Sequence, residues 1–328
     1  MKTSKHFLFL CTAVVLVLLL VSCKKENPQP PAHRGIYHWK SCFDPSKWEW
    51  DFIRDHKIDK LYIRLFDVVP NWVWDSDLHV YPAATTMFRQ PLPADIEVVP
   101  VVYISDDAIN KIWGEQRCSK YGALILERVD KMMTCQGRGD YKELQLDCDW
   151  ALSNREEYFN LCEFLHKKLK ERGVKLSSTV RVSQLTDESL HSMDVDRLVL
   201  MAYNTGNIRK QDTKNSILDT NDMAPYLQRM KKLSVPADVA YPLFGWGVAF
   251  DDAGRFERLI SWENLPPEGN RKNIRVERGE KAQIVSAQKR LAPMLPDGDN
   301  DRTTILYHLD SANLINYSYE EIEDFYSR

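Results

Sequence analysis

Two aspartates one residue apart close the segment Leu144-Gln145-Leu146-Asp147-Cys148-Asp149-Trp150. Side chains alternate along a strand, so Gln145, Asp147 and Asp149 share one face while Leu144, Leu146 and Cys148 share the other. Two carboxylates on one face of an otherwise apolar strand are poorly explained by packing. Held close, they push one pKa upward, which is how an acid and a base coexist near neutral pH. Their Cα atoms lie roughly 6.5–7 Å apart on a strand. Rotamers set the carboxyl separation, so spacing alone does not choose between chemistries that need different gaps. The same pair would suit a solvated edge strand, a salt-bridged structural pair or a divalent cation. A hard cation asks for further oxygen ligands that the sequence does not bring together here.

Hydrophobic patterning supplies the elements that must position this pair. Runs at 35–40, 60–66, 96–104, 144–150, 175–182, 197–204, 238–246 and 304–309 read as strands, rich in Val, Ile and Leu. The run 96–104 is almost wholly apolar, as strands buried on both faces are. In 60–66, alternation puts Tyr62, Arg64 and Phe66 on one face, and in 175–182 it puts Thr179 and Arg181 opposite Val180 and Val182. Helical spacing marks 45–56, 119–134, 154–172, 222–233, 280–291 and 319–326. The third carries Tyr158, Leu161, Cys162, Leu165 and Leu169 as a stripe and stops at Gly173. Residues 250–279 read as an irregular, charged insertion. Strands alternating with helices imply a parallel sheet, and eight such units in about 295 residues imply an α/β fold of the (β/α)8 TIM barrel type. No glycine-rich phosphate loop opens any helix, which disfavours the open doubly wound alternative.

The first 22 residues lie outside that barrel. Lys2 and Lys5 precede an apolar stretch from Phe7 to Leu20, too short to span a bilayer and typical of a signal peptide. Leu20-Val21-Ser22-Cys23 resembles the lipobox of bacterial lipoproteins, which implies lipidation at Cys23 and anchoring to a membrane leaflet. The competing reading is an uncleaved anchor helix. Residues 23–33, with Pro28, Pro30 and Pro31, read as a polar tether, and 34–328 as the barrel domain. Lys24 after Cys23 resembles outer-membrane sorting, so a membrane-anchored lipoprotein of the outer membrane, on its periplasmic or surface face, is expected. Losing Lys2 and Lys5 takes the formal charge from −3 to about −5, which gives nucleic-acid binding no support. Beyond Cys11 and Cys23 five cysteines remain: Cys42, Cys118, Cys135, Cys148 and Cys162. They form no CxxC or Cys/His cluster, so no metal and no cofactor are expected. Cys148 and Cys162 sit on apolar faces and read as buried thiols. No coiled-coil stretch specifies an oligomer.

A barrel places its chemistry at the C-terminal ends of strands. Those positions here include Trp39, Arg64, Asp67, Asp106, Asp107, Asp147, Asp149, Trp150, Arg181, Tyr203, Asn204, Trp246, His308 and Asp310, with Trp72, Trp74 and Trp113 in the same loops. Flat aromatic faces suit the apolar faces of sugar rings, while Asp, Asn and Arg satisfy hydroxyls. A carbohydrate ligand is therefore expected, with Arg64, Asp106, Trp150, Arg181, Asn204, Trp246 and His308 as its contacts. Arg64 and Arg181 would equally serve as structural partners of Asp147 and Asp149, because a buried guanidinium is costly unless paired. His308 would equally be a satisfied rim histidine. Trp48 and Trp50 read as core.

The segment 144–151 resembles the fourth-strand motif Asp-Gly-x-Asp-x-Asp-Trp-Glu of glycoside hydrolase family 18, the chitinase-like barrels. Met201-Ala202-Tyr203-Asn204 is similar to that family's sixth-strand Met-x-Tyr-Asp. The resemblance implies that Asp149 orients and stabilises a substrate N-acetyl group, that Asp147 shares a proton with it, and that Tyr203 hydrogen-bonds the same group. The departures matter as much. The family's proton-donating glutamate falls at Ala151, its first aspartate and glycine at Leu144 and Gln145, and its sixth-strand aspartate at Asn204. Two main readings follow: a glycoside hydrolase using Asp147 and Asp149, with an acid such as Asp106 or Asp310 supplied from elsewhere, or a non-catalytic glycan-binding barrel. A third is a structural partner in a surface complex.

Overall fold

The computed structural model describes residues 32–73, 76–230 and 232–327. The signal segment, Cys23, the tether up to residue 31 and Trp74 lie outside the described residues.

The chain begins with β1 (His33–His38), β2 (Cys42–Phe43) and α1 (Lys47–Asp55). The Ser46 hydroxyl accepts the Glu49 amide while the Glu49 carboxylate accepts the Ser46 amide, a reciprocal cap that fixes where α1 starts. There follow β3 (Lys60–Pro70), β4 (Val80–Ala83), β5 (Met87–Phe88), β6 (Glu97–Ile104), α2 (Asp106–Ile109) and α3 (Glu115–Cys135). Next come β7 (Glu143–Cys148), α4 (Arg155–Lys170), β8 (Lys175–Arg181), β9 (Arg197–Met201) and α5 (Thr220–Leu227). The chain continues with β10 (Ala237–Pro242), β11 (Gly245–Phe250), β12 (Phe256–Ser261), β13 (Ile274–Arg278) and α6 (Lys281–Leu291). It ends with β14 (Thr303–Tyr307), α7 (Ser311–Leu314) and α8 (Tyr319–Tyr326).

Strands β1, β3, β6, β7, β8, β9, β10 and β14 run parallel and close on themselves, because β1 pairs with both β14 and β3. This is the (β/α)8 barrel that the alternation predicts. Among the described residues no helix is long and apolar enough to cross a membrane. Cys148 and Cys162 are buried thiols, as their apolar faces imply, and all five described cysteines are free.

Three expectations need correction. A bulge at Leu65 shifts the register of β3 against β6, from Arg64 opposite Val101 to Phe66 opposite Val102. Phe66 therefore leaves the face of Tyr62 and Arg64 and packs outward under Arg128 of α3, whose guanidinium sits 5.1 Å from its ring centre. The apolar run 238–246 is two strands rather than one. Its first part belongs to the barrel, and its second opens a separate antiparallel sheet in which β11 lies between β12 and β13. Residues 250–279 are thus a folded layer, hidden in the sequence by the charges along its exposed edge strand. Trp48 is 43% exposed and stacks on Phe52 at 5.7 Å instead of entering the core.

The N-terminal end of the barrel is plugged by buried ions. Arg197 donates to Asp238 at 2.9 Å and to Asp299 at 2.8 Å. The Ser177 hydroxyl donates to Glu143 at 2.5 Å, and Lys60 lies 3.9 Å from the same carboxylate. Burial pushes the Asp238 carboxyl up to about 7 although Arg197 pulls it down. A partner removed here leaves a charge stranded in a dry interior. Arg197→Leu is expected to cost roughly 3–5 kcal/mol in a urea unfolding curve. Adding Asp238→Leu should recover much of that loss, since a well-packed apolar pair can replace a buried ion pair.

Candidate functional site

A cleft of about 530 Å³ opens at the C-terminal ends of the barrel strands. Its floor is laid by inward positions. Tyr103 of β6, Asp147 of β7, Arg181 of β8, Met201 of β9 and Tyr307 of β14 all line it, with Trp39 just beyond β1. The inserted sheet supplies one wall through Trp246, Leu259, Ile260, Trp262 and Glu263.

Asp147 lies deep, 9% exposed, and accepts the Thr179 hydroxyl at 2.6 Å. Burial pushes its carboxyl up to about 7; the Thr179 bond works against this, and the charge of Asp149 adds to it. Asp149 follows the end of β7 and is more open. Arg181 donates to its Oδ2, yet burial still holds its carboxyl above the usual range. The two aspartates therefore share a strand but not an environment. Burial and then these two charges also push the Tyr103 hydroxyl up to about 12.

Tyr307 is the centre of the aromatic floor. Its ring lies 5.6 Å from Trp39, 5.3 Å from Tyr203 and 5.6 Å from Phe244. Phe244 meets Trp246 edge-on at 5.1 Å. The Trp246 indole N–H donates to Glu277 at 2.8 Å, and Glu277 also accepts from Ser216 and Arg275. That carboxylate fixes the ring plane. Trp262 lies against the backbone at Gly245, where a side chain would collide with its ring. Burial lowers His308 to about 4, so it stands neutral, and its Nδ1 has no hydrogen-bond partner among the described residues. Asp310 lies 2.9 Å from Lys40 Nζ and accepts the Asn313 amide at 2.9 Å. Burial works to raise its carboxyl, and the hydrogen bond and charge of Lys40 hold it below the usual carboxylate range.

Of the residues singled out in the sequence, Asp147, Asp149, Arg181, Tyr203, Asn204, Trp246 and His308 meet in this cleft. Three of the expected sugar contacts do not line it. Arg64 faces Asp67 at 3.4 Å and sits behind Trp39, 5.8 Å from its ring centre. Asp106 opens α2 and accepts the side-chain amide of Asn154. Trp150 is 3% exposed and packs edge-on against Phe159 at 5.4 Å, because the chain turns back into the α4 layer directly after Asp149. Trp72 and Trp113 are exposed outside the cleft. The sequence reading missed Tyr103, Phe244, Trp262, Glu263 and Tyr307. Strand alternation carries the signal for Tyr103 and Tyr307, two residues on from inward Val101 and Ile305. The others needed the inserted sheet to be recognised. Among the described residues no group of three or more His, Cys, Asp or Glu is placed to hold a metal ion.

No protein-family model matches the sequence, and no curated protein matches it. Solved structures do. The spore cortex-lytic enzyme SleL of Bacillus megaterium is 11% identical, covers 92% of this chain and 75% of its own, and superposes with a TM-score of 0.55. A chitinase of Chromobacterium violaceum is 12% identical over 89% of this chain and 99% of that one, at 0.52. The GH18 chitinase ChiB of Flavobacterium johnsoniae is 13% identical over 91% and 94%, at 0.52. The chain therefore shares the barrel fold of these enzymes.

The raised Asp147 carboxyl makes a testable statement about stability. Below about pH 4 both folded and unfolded forms hold its proton, and nothing is lost. Between there and pH 7 the unfolded chain ionises first, so the folded state loses ground as pH rises, and above 7 the loss is complete. Asp147→Asn should remove this loss, gaining up to about 4 kcal/mol over the wild type between pH 4 and pH 8 in denaturant titrations. Gly245→Ala should displace Trp262 while the barrel stays folded, read as a changed near-ultraviolet circular dichroism spectrum with an unchanged far-ultraviolet one.

Proposed function

We propose that the cleft binds a glycan and that Asp147 and Asp149 serve its hydrolysis. One observation carries this reading: two carboxylates of contrasting environment lie on the floor of a cleft walled by aromatic rings. Such a pair, one protonated near neutrality and one held by a cation, is the arrangement that acid-base chemistry on a sugar uses. Asp149, ionised against Arg181, faces the positive charge that develops at the anomeric carbon. Asp147 beneath it holds the exchangeable proton, and the Tyr203 hydroxyl is the donor for a substrate acetamido group. Arg181, Asn204, Trp246 and His308 contact the rest of the sugar. The likeness to chitinases and to a cortex-lytic enzyme supports a glycan as ligand. In the same reading Cys23 carries a lipid, and the barrel faces outward from the outer membrane on its tether.

A second reading keeps the ligand and drops the chemistry. Ala151, where the resembling family has its acid, is an exposed methyl group, and Arg181 occupies one oxygen of Asp149. A barrel with these changes binds sugar without cutting it.

The described residues from 32 to 327 form one compact unit and suit the experiment. Product release from a panel of acetamido and neutral oligosaccharides should be seen with the wild type and be lost in Asp149→Asn. Binding in both proteins with no product would sink hydrolysis and leave the sugar-binding barrel. In cells, Cys23→Ser is expected to abolish labelling by a fatty-acid probe and to move the protein from the membrane to the soluble fraction.

A further inference from the structure

We propose that Glu263, delivered by the inserted sheet, is the proton donor to the leaving group, the role that position 151 cannot fill. This rests on the hydrolase reading above and names the residue that completes it.

Four carboxylates line the cleft: Asp147, Asp149, Glu263 and Asp310. Glycosidic bonds are broken between two carboxyl groups that flank the bond. Asp147 and Asp149 leave the same strand and approach a bound sugar from the same side. Asp310 stands elsewhere on the rim but is committed. Lys40 and Asn313 occupy its two oxygens, and the lysine keeps it an acceptor. Asp106, the other candidate suggested by the sequence, is bound to Asn154 and does not reach the cleft.

Glu263 differs from all of these. It sits in the short turn Trp262–Asn264 that follows β12. That turn is hung from β11, which continues the chain from β10, three strands round the barrel from β7. The turn therefore reaches the cleft from the β10 side of the barrel, and Asp149 from the β7 side. Its backbone is fixed. The Leu265 backbone amide donates to the Trp262 carbonyl at 3.3 Å, the Asn264 side-chain amide donates to Ser261 Oγ at 2.6 Å, and the Trp262 ring rests on Gly245. The Glu263 side chain, in contrast, is exposed and makes no hydrogen bond or ion pair among the described residues. It is a carboxyl on a firm mount with nothing holding it but solvent. A sugar filling the cleft takes the place of that solvent beside the carboxyl group, within reach of a side chain that nothing else holds.

The step balances with water as the only co-reactant. The Glu263 proton passes to the glycosidic oxygen as the bond from the anomeric carbon to that oxygen breaks. The bonding pair stays on the oxygen, which leaves as an alcohol. Water then bonds to the anomeric carbon and returns a proton to the Glu263 carboxylate. Asp149 stabilises the positive charge that exists between the two events.

The test compares wild type, Glu263→Gln and Asp149→Asn on oligosaccharides and on dinitrophenyl glycosides of the same sugar. A dinitrophenolate departs without a proton, so only the oligosaccharide needs an acid. Glu263→Gln should lower kcat on oligosaccharides by about 10²–10⁴-fold with KM within a few-fold. On the dinitrophenyl substrate it should keep most of its rate, and the alkaline limb of the pH profile should vanish. Asp149→Asn should lose both substrates. Oligosaccharide cleavage by Glu263→Gln within a few-fold of wild type would overturn the assignment and leave the hydrolase reading standing. An equal loss on both substrates would also overturn it, since that marks a role other than donating a proton. A wild type that binds but cleaves neither substrate would end the hydrolase reading, and this assignment with it.

Discussion

A closed barrel has no edge and no outlet for water, so every polar side chain turned inward must be satisfied by another inward side chain. In this chain that demand falls on the pair of strands β7 and β8. Glu143 takes the Ser177 hydroxyl, Gln145 takes the Tyr37 hydroxyl at 2.6 Å and lies 3.5 Å from Ser177, Asp147 takes the Thr179 hydroxyl, and Asp149 takes Arg181. The result is a continuous polar ladder from the ionic plug at the base to the floor of the cleft. From Gln145 upward each rung is less enclosed than the one below. Asp147 sits one rung under the opening, where its partner is only a neutral hydroxyl, and that explains its proton. One rung higher a full cation is available, and the carboxylate is paired.

Much of this was legible in the sequence because it follows from parity. Period-two alternation put Asp147 and Asp149 on one face and Thr179 and Arg181 on another, and the closed parallel sheet brought those faces together. The resemblance of segments 144–151 and 201–204 to a chitinase-like barrel pointed to the same strand ends. Legibility failed where parity is broken or where another layer intervenes. The bulge at Leu65 reverses the alternation within β3, and nothing in the run 60–66 marks an extra residue. Trp150 directly follows a true cleft position and Asp106 comes three residues after one, but the chain has already turned into helical packing at both.

The inserted sheet was the larger omission. Its strands carry glycine, arginine and glutamate in proportions that read as loop. Yet Gly245 and Gly247 leave one side of β11 flat so that Trp262 and Leu265 can lie on it, while Trp246 points the other way and is tied down by Glu277. Those residues become interpretable only in pairs that are 17 to 31 positions apart. A pattern reading sees each alone. The cleft is consequently built from two sources: a floor written in alternation, and a wall written in long-range contacts.

The sheet leaves the barrel after Pro242 and rejoins it at Gly279, and these two points touch. The Gly279 amide donates to the Phe244 carbonyl at 3.1 Å, and no side chain at 279 would fit against the Pro242 carbonyl. To the barrel, then, the whole excursion has the footprint of a tight turn. Length and content between those two anchors can change with little effect on strand register, since the ends stay fused whatever lies between them. The wall of the cleft is in this sense an exchangeable cassette: ligand scope can be rewritten within one segment while the polar ladder beneath it stays as it is.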